Sequence, residues 1–284
     1  MMPGSQDRPA DAFAFVGGCP RSGTTWLQLL LARHPDVYTA RETHLFDRYI
    51  EPLLGSFRNE GDLSSDDGMH GFVGDRELEE EIIAPLAEKV MTLYAGGRRG
   101  ESLILEKTPG HIRQFPLIQR IFPGARFIEV VRDPRAVLAS WKAASRERWG
   151  GWTRKGSLDV VFTWVRYALA GIDAKSRLAD DVITIRYEDL HEDPADVLCS
   201  ALAHLRLDCD DALIAEAVSS LEINRIKKQL AAGGALGHFR EERENFFRKG
   251  QVDSWKDELT PDEVSMVGLV CGEIVRSRGL GYFS

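Results

Sequence analysis

Short apolar runs alternate along the chain with longer segments whose apolar residues recur every three or four positions. The short runs predict buried strands at residues 13–17, 102–106, 126–131 and 182–186. The longer segments predict helices at residues 24–34, 76–94, 112–121, 134–144, 159–178 and 195–205. Strands that alternate with helices are typical of βαβ units, so this pattern predicts an α/β fold with a mainly parallel sheet.

Two segments interrupt the pattern of strands and helices. Residues 55–74 are polar, acidic and contain several glycines, and we expect a mobile surface loop there. Residues 231–239, which read AAGGALGHF, predict a second loop. Loops of this length in a compact domain often cover a functional site, so both segments are candidate lids.

Length and charge restrict the organisation of the chain and its partners. With 284 residues and no repeat or long linker, we expect one domain over residues 1–284, with residues 1–11 flexible. The formal net charge of −8 disfavours nucleic acid as a partner. The chain shows neither the pattern of a signal peptide nor 18 consecutive apolar residues, so we expect a cytoplasmic protein without a membrane span.

The cysteines give little sign of a structural framework. The chain has four, Cys19, Cys199, Cys209 and Cys271, and they are scattered without C-x-x-C spacing. This spacing favours reduced thiols, as in a cytosol, over a disulfide framework or a zinc site. No set of His, Asp and Glu has the spacing of metal ligands either, so we expect no metal.

The stretch FVGGCPRSGTTWL, residues 15–27, combines a strand, a glycine turn and the start of a helix. Gly18 and Gly23 have the spacing of a phosphate loop, but Thr24 stands where that loop has its lysine, and Arg21 lies inside the turn. Backbone amides at the start of a helix attract an anion, and the side chains of Ser22 and Thr25 add donors. A plain β-turn-α corner is the alternative.

Two more stretches carry candidate phosphate ligands. In FIEVVRDPRAVLASW, Arg132 ends a strand, Asp133 and Pro134 are suited to begin a helix, and Ser140 lies two turns along it. Arg132 and Ser140 can therefore both reach the carboxyl edge of the sheet, unless Arg132 only caps the helix or forms a salt bridge. In FFRKGQVDSWK the candidates are Arg248, Lys249 and Gly250, and a solvated basic turn is the alternative.

Taken together, these motifs resemble the sulfotransferases that use 3′-phosphoadenosine 5′-phosphosulfate (PAPS). The loop PRSGTTW is similar to the family's 5′-phosphosulfate loop, RDPRAVLAS to its 3′-phosphate motif, and RKGQVDSWK to a motif of its cytosolic branch. RETHLFD (residues 41–47) and LEKTPGH (residues 105–111) resemble the Golgi heparan branch. The resemblance implies a P-loop-like three-layer fold, with a central sheet flanked by helices, and transfer of a sulfuryl group without metal.

The resemblance also implies a role for individual residues. Those that would hold the 5′ end of PAPS are Arg21, Ser22, Gly23, Thr24 and Thr25. Those at the adenine would be Trp26 and Tyr187, with Ser219 and Leu221 completing the pocket. Those at the 3′-phosphate would be Arg132, Ser140, Arg248, Lys249 and Gly250. Leu221 departs from the family, which has an aromatic residue there.

For catalysis, the resemblance points to a carboxylate base. Glu42 matches the catalytic glutamate of the heparan branch, His44 and Asp47 match its neighbours, and Lys107 matches a lysine directed at the sulfonate. Arg21 would stabilise charge on the departing phosphate. Cytosolic members use a histidine as base where this chain has a proline. His111, close to that proline, is the second candidate for the base.

Other interpretations stay open at this stage. A kinase with a degenerate phosphate loop would need magnesium, and a non-catalytic nucleotide-binding module would need neither Glu42 nor Lys107. The acceptor is a hydroxyl or amine compound, and a small molecule, a lipid or a glycan would each be compatible with the motifs. Residues 148–152, RWGGW, either line an acceptor groove or cover the core. The oligomeric state is not predicted.

Overall fold

The strands of the protein lie side by side in one parallel sheet. A computed structural model describes residues 13–62, 68–220 and 252–283. The strands within these ranges are β1 (Phe13–Gly18), β2 (Val37–Thr39), β3 (Leu103–Lys107), β4 (Arg126–Val131) and β5 (Val182–Arg186). Their order is β2-β3-β1-β4-β5, and every neighbouring pair is parallel. The predicted α/β fold with a parallel sheet is confirmed.

Helices connect the strands. The α-helices are α1 (Thr24–Leu31), α2 (Glu51–Asp62), α3 (Asp75–Glu77), α4 (Ala84–Ala95), α5 (Phe115–Ile121), α6 (Pro134–Ala144), α7 (Ser157–Leu178), α8 (Tyr187–Glu192), α9 (Pro194–His204), α10 (Asp211–Ser220), α11 (Trp255–Glu258) and α12 (Pro261–Ser277). π-helical turns at Leu45–Ile50 and Leu78–Ile83 lead into α2 and α4, and short 3₁₀ turns lie at Met69–Gly71, Pro109–Gln114, Gly150–Thr153 and Ala179–Asp181.

Helices cover both faces of the sheet, which gives three layers. Successive side chains of a strand point to opposite faces. Phe13 and Phe15 of β1 therefore join the core beneath α7 and α12, whereas Ala14 and Val16 join the core beneath α1 and α9. All four side chains are buried. Because both faces are covered, the strands are mainly apolar, which is why the sequence pattern located four of the five described strands.

The carboxyl ends of the central strands meet at one edge of the sheet. In the register, Val16 lies beside Lys107 of β3, and Gly18 lies beside Val130 of β4. The turn after β1, the end of β3 and the start of α6 are consequently neighbours. The site described below lies at this edge, as expected for an open α/β sheet.

The predicted surface loop at residues 55–74 is wrong in its first part. Helix α2 continues to Asp62, and its Phe57 is buried in the core. Ile50, Leu53, Leu54 and Phe57 recur at helical spacing, and this apolar face outweighs the helix-weakening effect of Gly55. The predicted loop at residues 231–239 lies outside the described residues.

The expectation of reduced thiols is also wrong for two of the four cysteines. Cys199 in α9 and Cys209 before α10 form a disulfide, with their Cα atoms 5.5 Å apart. The turn between the two helices brings them within disulfide range although they are ten positions apart in sequence. Cys19 and Cys271 are free and buried, and burial raises the pKa of the Cys19 thiol well above its ordinary value.

The end of the described chain is tied to the sheet by a buried ion pair. Arg278, just after α12, donates a hydrogen bond of 2.9 Å to Oε1 of Glu129 in β4. Thr184 of β5 donates to the other oxygen of that carboxylate at 2.8 Å. The Glu129 side chain is 3% exposed and that of Arg278 is 10% exposed. Removing one partner would leave a buried charge without compensation.

We therefore expect Arg278→Ala to lower the free energy of unfolding by about 3–5 kcal/mol, the usual cost of breaking a buried pair. Urea denaturation followed by circular dichroism measures this loss. The matched control is Arg276→Ala, which removes an exposed pair with Glu273 and should cost about 0–1 kcal/mol. Equal losses in the two variants would contradict the assignment of the Arg278 pair as a buried one.

Candidate active site

The turn between β1 and α1 has the geometry of a phosphate loop. Ser22 donates its backbone N–H to the carbonyl of Cys19 at 3.0 Å, which closes the turn. Arg21 (φ 74°) and Gly23 (φ 97°) both adopt left-handed backbone conformations. A Cβ at Gly23 would lie 2.4 Å from Cδ2 of Tyr187. Glycine is needed there because it permits both the backbone angle and the close approach of the tyrosine ring.

The cations of the two predicted phosphate motifs meet at this turn. Arg21 donates from Nε to Oγ of Ser140 at 3.0 Å. Arg132 donates from Nη1 to the carbonyl of Arg21 at 3.1 Å, and its guanidinium lies 4.0 Å from the centre of the Tyr187 ring. The structure thus brings together residues that are more than 100 positions apart in sequence, as predicted for Arg132 and Ser140.

Helix α6 positions Ser140 as the sequence predicted. Asp133 is the N-cap, since its carboxylate accepts the backbone N–H of Arg135 at 2.8 Å, and Pro134 is the first helical residue. The indole of Trp164 donates to the carbonyl of Arg132 at 2.9 Å and holds the strand end in place. The sequence predicted a helix over residues 159–178 but gave no role to Trp164.

Several polar atoms at this edge are buried and lack a partner. Within the ranges that the structure describes, Oγ of Ser22, Nε1 of Trp26 and Nε of Arg132 form no hydrogen bond. A buried donor without a partner costs free energy, so such atoms in a native protein require an explanation. Ser22 lies in the turn and Arg132 contacts it, and an anionic ligand held at the start of α1 would satisfy both. The residues present fit a phosphate-bearing group.

Lys107 and three residues of the segment RETHLFD form a series of alternating charges. Lys107, at the end of β3, is 3% exposed and donates both to Oγ1 of Thr25 at 3.1 Å and to Oε1 of Glu42. The other oxygen of Glu42 lies 3.1 Å from Nε2 of His44, whose Nδ1 lies 3.1 Å from Asp47. Lys107 therefore links the phosphate loop to the predicted base.

These contacts set the protonation states of Glu42 and His44. Burial would raise the pKa of Glu42, but the Lys107 ammonium and the hydrogen bond from His44 outweigh it and lower the pKa to about 2. Burial would lower the pKa of His44, yet hydrogen bonds to Asp47 and Glu42 raise it to about 9. At neutral pH, Glu42 is a carboxylate between two cations. Arg21, the predicted cation of the phosphate loop, donates to Ser140.

The second candidate base, His111, is enclosed in the core. It is 0% exposed, and its Nε2 accepts the backbone N–H of Phe46 at 3.2 Å. Its Nδ1 lies 2.8 Å from Oε2 of Glu106. Because the Nε2 lone pair already accepts a hydrogen bond, the imidazole does not present a base to an acceptor. This geometry favours Glu42.

The remaining predicted residues differ in where they lie. Trp26 packs against Tyr187 with 5.6 Å between ring centroids. Ser219 is exposed in α10 and donates to the carbonyl of Glu216 at 3.0 Å. The residues that lie outside the described ranges are Leu221, Arg248, Lys249 and Gly250. Their roles stay predictions.

The ambiguous RWGGW stretch flanks the phosphate loop. The Arg21 guanidinium lies 5.6 Å from the ring centre of Trp149. The indole of Trp141 donates to the carbonyl of Pro20 at 3.0 Å, and Trp152 packs against Trp141 while remaining 46% exposed. These tryptophans therefore buttress the loop and also present an aromatic surface beside it. Their position next to Arg21 could not be read from the sequence alone.

A parallel sheet whose edge carries a phosphate-loop turn defines a P-loop-like α/β protein. Comparisons with known proteins make this more specific. The profile described as "Sulfotransferase family" matches residues 14–211. The chain belongs to the Sulfotransferase family, which confirms the resemblance of its motifs.

Relatives of known sequence are protein-tyrosine sulfotransferases. Protein-tyrosine sulfotransferase 1 of Danio rerio is 27% identical over 203 residues, which cover 70% of this chain and 54% of that protein. A putative protein-tyrosine sulfotransferase of Caenorhabditis briggsae is 33% identical over 132 residues, covering 44% of this chain and 41% of that protein. This chain spans about half the length of these relatives.

Solved structures share the fold. The mouse sulfotransferase SULT7A1, complexed with PAP, superposes with a TM-score of 0.64 at 19% identity, covering 98% of this chain and 90% of that one. The sulfotransferase domain of the olefin synthase from Synechococcus PCC 7002 gives 0.56 at 23% identity, covering 91% and 94%. The P-loop-like three-layer fold is confirmed. None of the helices described here combines the length and apolar character needed to cross a bilayer.

The charges of the site lead to a pH profile that identifies the base. As the predicted base, Glu42 would act only when ionised, so its activity would be lost only as the pH falls through about 2. The His44 proton is lost as the pH rises through about 9. We expect kcat/KM for the acceptor to be flat from about pH 5 to pH 8 and to decline above the His44 pKa.

His44→Gln is the matched variant for the alkaline decline, which should move or disappear in it. If Glu42 is not the base, Glu42→Gln should keep the wild-type kcat/KM. An active Glu42→Gln together with an inactive His111→Ala would assign the base to His111.

Proposed function

We propose that this protein transfers the sulfuryl group of PAPS to a hydroxyl or amine acceptor. One observation carries the proposal: Lys107 contacts the phosphate loop at Thr25 and the carboxylate of Glu42 at the same time. A phosphate-binding turn joined to an ionised base is the arrangement that transfer from a nucleotide donor requires. Membership of the Sulfotransferase family supports it.

The cosubstrate would be held by the residues that the motifs predicted. The 5′ end lies against residues 21–25, with the unsatisfied Ser22 hydroxyl as one donor. Arg132 and Ser140 would receive the 3′-phosphate, and the rings of Trp26 and Tyr187 would pack near the adenine. The mouse relative binds PAP, the product form of such a cosubstrate. We propose no metal, and within the described residues no cluster of three or more His, Cys, Asp or Glu side chains could hold one.

The reaction is an in-line displacement. PAPS supplies an activated sulfuryl group. Glu42 accepts the proton of the acceptor as the acceptor oxygen bonds to sulfur and the bond from sulfur to the 5′-phosphate oxygen breaks. With a pKa of about 2, Glu42 is a weak base that works by placement. Two of the three Lys107 donors bind Thr25 and Glu42, which leaves one for the sulfonate.

The rival interpretations fit less well. A kinase would have its lysine where Thr24 stands, and it has no use for Arg132 and Ser140 at a 3′-phosphate site. A module that only binds nucleotide gains nothing from Glu42, whose position between two cations is an arrangement for chemistry. Sulfuryl transfer accounts for all of these residues.

The acceptor side favours a compound with a negative charge. Four exposed cations lie close in sequence to Trp149 and Trp152, namely Arg146, Arg148, Arg154 and Lys155. None of the four forms an ion pair with a residue that the structure describes. Clustered cations attract an anionic ligand even on a protein of net charge −8. We propose an anionic aromatic hydroxyl compound ahead of a lipid or a neutral glycan, and the tyrosine specificity named for the relatives is compatible with it.

Two further proposals concern organisation. We propose that residues 1–284 form one sulfotransferase domain. A cytoplasmic location is also retained as a proposal, although the disulfide between Cys199 and Cys209 is of the kind that persists in oxidising compartments. Localisation of a tagged full chain in its own host, with the thiols titrated in parallel, would decide the compartment.

The cosubstrate proposal predicts selective stabilisation of the folded protein. Adenosine 3′,5′-bisphosphate should raise the melting temperature without magnesium, by the equivalent of about 2.7 kcal/mol at 100 times its Kd. AMP lacks the 3′-phosphate and should do much less. Differential scanning fluorimetry measures both.

Arg132→Ala is the variant that links this result to the site. Loss of a charged contact should weaken binding of the bisphosphate by about 1.5–3 kcal/mol and leave AMP binding nearly unchanged. Equal stabilisation of the wild type by magnesium–ATP would instead support a kinase.

The acceptor proposal predicts a charge preference. A phenol that bears a carboxylate should have a higher kcat/KM than its amide analogue, and Arg148→Ala/Arg154→Ala should remove that preference. Exposed pairs contribute about 0.2–1 kcal/mol each, so the effect is a few-fold and shrinks at high salt. Arg177→Ala on α7 is the control, because its exposed charge pairs with Asp173. No preference in the wild type would contradict the anionic acceptor.

A further inference from the structure

The last two residues of β3 point to opposite faces of the sheet. Lys107 lies on the face of α1, where it contacts Thr25. Glu106 lies on the other face, together with Ile104, and is 0% exposed. The segment after β2 runs past the end of this strand and is held on both sides. Glu42 contacts Lys107, and the next residue, Thr43, contacts Glu106.

The Glu106 carboxylate is the centre of a buried set of hydrogen bonds. Its Oε1 accepts the backbone N–H and the hydroxyl of Thr43, both at 3.0 Å, and the hydroxyl of Thr108 at 2.6 Å. Its Oε2 lies 2.8 Å from Nδ1 of His111. Burial would raise the pKa of Glu106, but His111, Thr108 and Thr43 together hold it below the ordinary value. The group is therefore a fully buried anion.

A buried anion is an unusual way to stabilise a core. Apolar residues of similar size stabilise a fold as well as a buried charge does, or better, because the charge must first be desolvated. The partners of Glu106 suggest another use, since Thr43 and Thr108 are the neighbours in sequence of Glu42 and Lys107. The carboxylate thus binds the two segments that carry the base and the cation.

We propose that Glu106 is a positioning residue for sulfuryl transfer, whose carboxylate fixes the backbone at Thr43 and thereby holds the Glu42 carboxylate against Lys107 beside the phosphate loop. This inference rests on the proposed function. It assigns Glu106, Thr43 and Thr108 a role in the reaction that the sequence motifs did not indicate.

The backbone around Thr43 shows why an anchor is needed. His44 adopts a left-handed conformation with φ 51°, which is unfavourable for a residue with a side chain. Its backbone N–H donates to Oγ1 of Thr108 at 3.3 Å, and that same hydroxyl donates to Glu106. Strained conformations persist only when the surroundings over-determine them. Without the carboxylate, both anchors of the turn weaken, and Glu42 loses its fixed position.

The experiment compares two buried strand glutamates that the chain offers as a matched pair. Glu106→Gln keeps the size of the side chain but removes the negative charge that holds Thr43 and faces His111. Glu129→Gln does the same in β4, where the partner is Arg278, outside the proposed site. Thr43→Val and Thr43→Ser form a second pair, since valine removes the hydroxyl and serine retains it.

We expect Glu106→Gln to lower kcat about 10- to 100-fold, the effect of a small misplacement of a reacting group, with the Kd for adenosine 3′,5′-bisphosphate within about two-fold of wild type. Thr43→Val should lower kcat by a smaller factor, and Thr43→Ser should restore it. Glu129→Gln should lose stability and keep kcat. Hydrogen exchange of residues 42–47 should accelerate in Glu106→Gln and Thr43→Val only.

Wild-type kcat in Glu106→Gln, or an equal loss of kcat in Glu129→Gln, would overturn the positioning role. If Glu106→Gln does not fold, equal kcat in Thr43→Val and Thr43→Ser would overturn it. Hydrogen exchange distinguishes failure of the positioning role from failure of the proposed function. A wild type that transfers no sulfuryl group, but whose residues 42–47 lose protection in Glu106→Gln, would refute the function and leave the anchor in place. Unchanged protection would refute the anchor.

Discussion

The site depends on one buried cation. Lys107 is 3% exposed, and an ammonium group is costly to remove from water unless opposite charge compensates it. Its compensation is Glu42, which lies on a different segment, and its remaining contact is Thr25 of the phosphate loop. The need to pair this charge therefore brings the base segment onto the end of β3 and next to the loop. Glu42 in turn pairs with His44, and His44 pairs with Asp47.

Much of the fold was predictable because it follows from burial. The bounds of β4, β5 and α6 agree with the sequence prediction, since parallel strands covered on both faces are apolar runs and α6 begins with an N-cap aspartate and a proline. The meeting of Arg132 with the phosphate loop was predictable for a related reason. Residues that follow parallel strands share one edge of the sheet, whatever their distance in sequence.

Other features depend on contacts that no local pattern encodes. Strand β2 has only three residues, too few for a pattern, and α2 was hidden by glycine and polar residues on its outer face. The disulfide depends on how the turn after α9 packs. Glu106 is one glutamate in an apolar strand, and only the structure shows that it binds Thr43 and faces His111. The enclosed position of His111 also could not be predicted. The sequence shows only that His111 lies close to the proline at the position where cytosolic members have their base.

Transfer itself is the most direct test of the account. The full chain is incubated with PAPS carrying labelled sulfate and with a panel of hydroxyl and amine acceptors, and products are identified by mass spectrometry. The account predicts labelled sulfate on at least one acceptor, equimolar adenosine 3′,5′-bisphosphate without added magnesium, and loss of both products in Glu42→Gln while the variant still binds the bisphosphate. Transfer by Glu42→Gln at the wild-type rate, or phosphoryl transfer from magnesium–ATP in place of sulfuryl transfer, would contradict it.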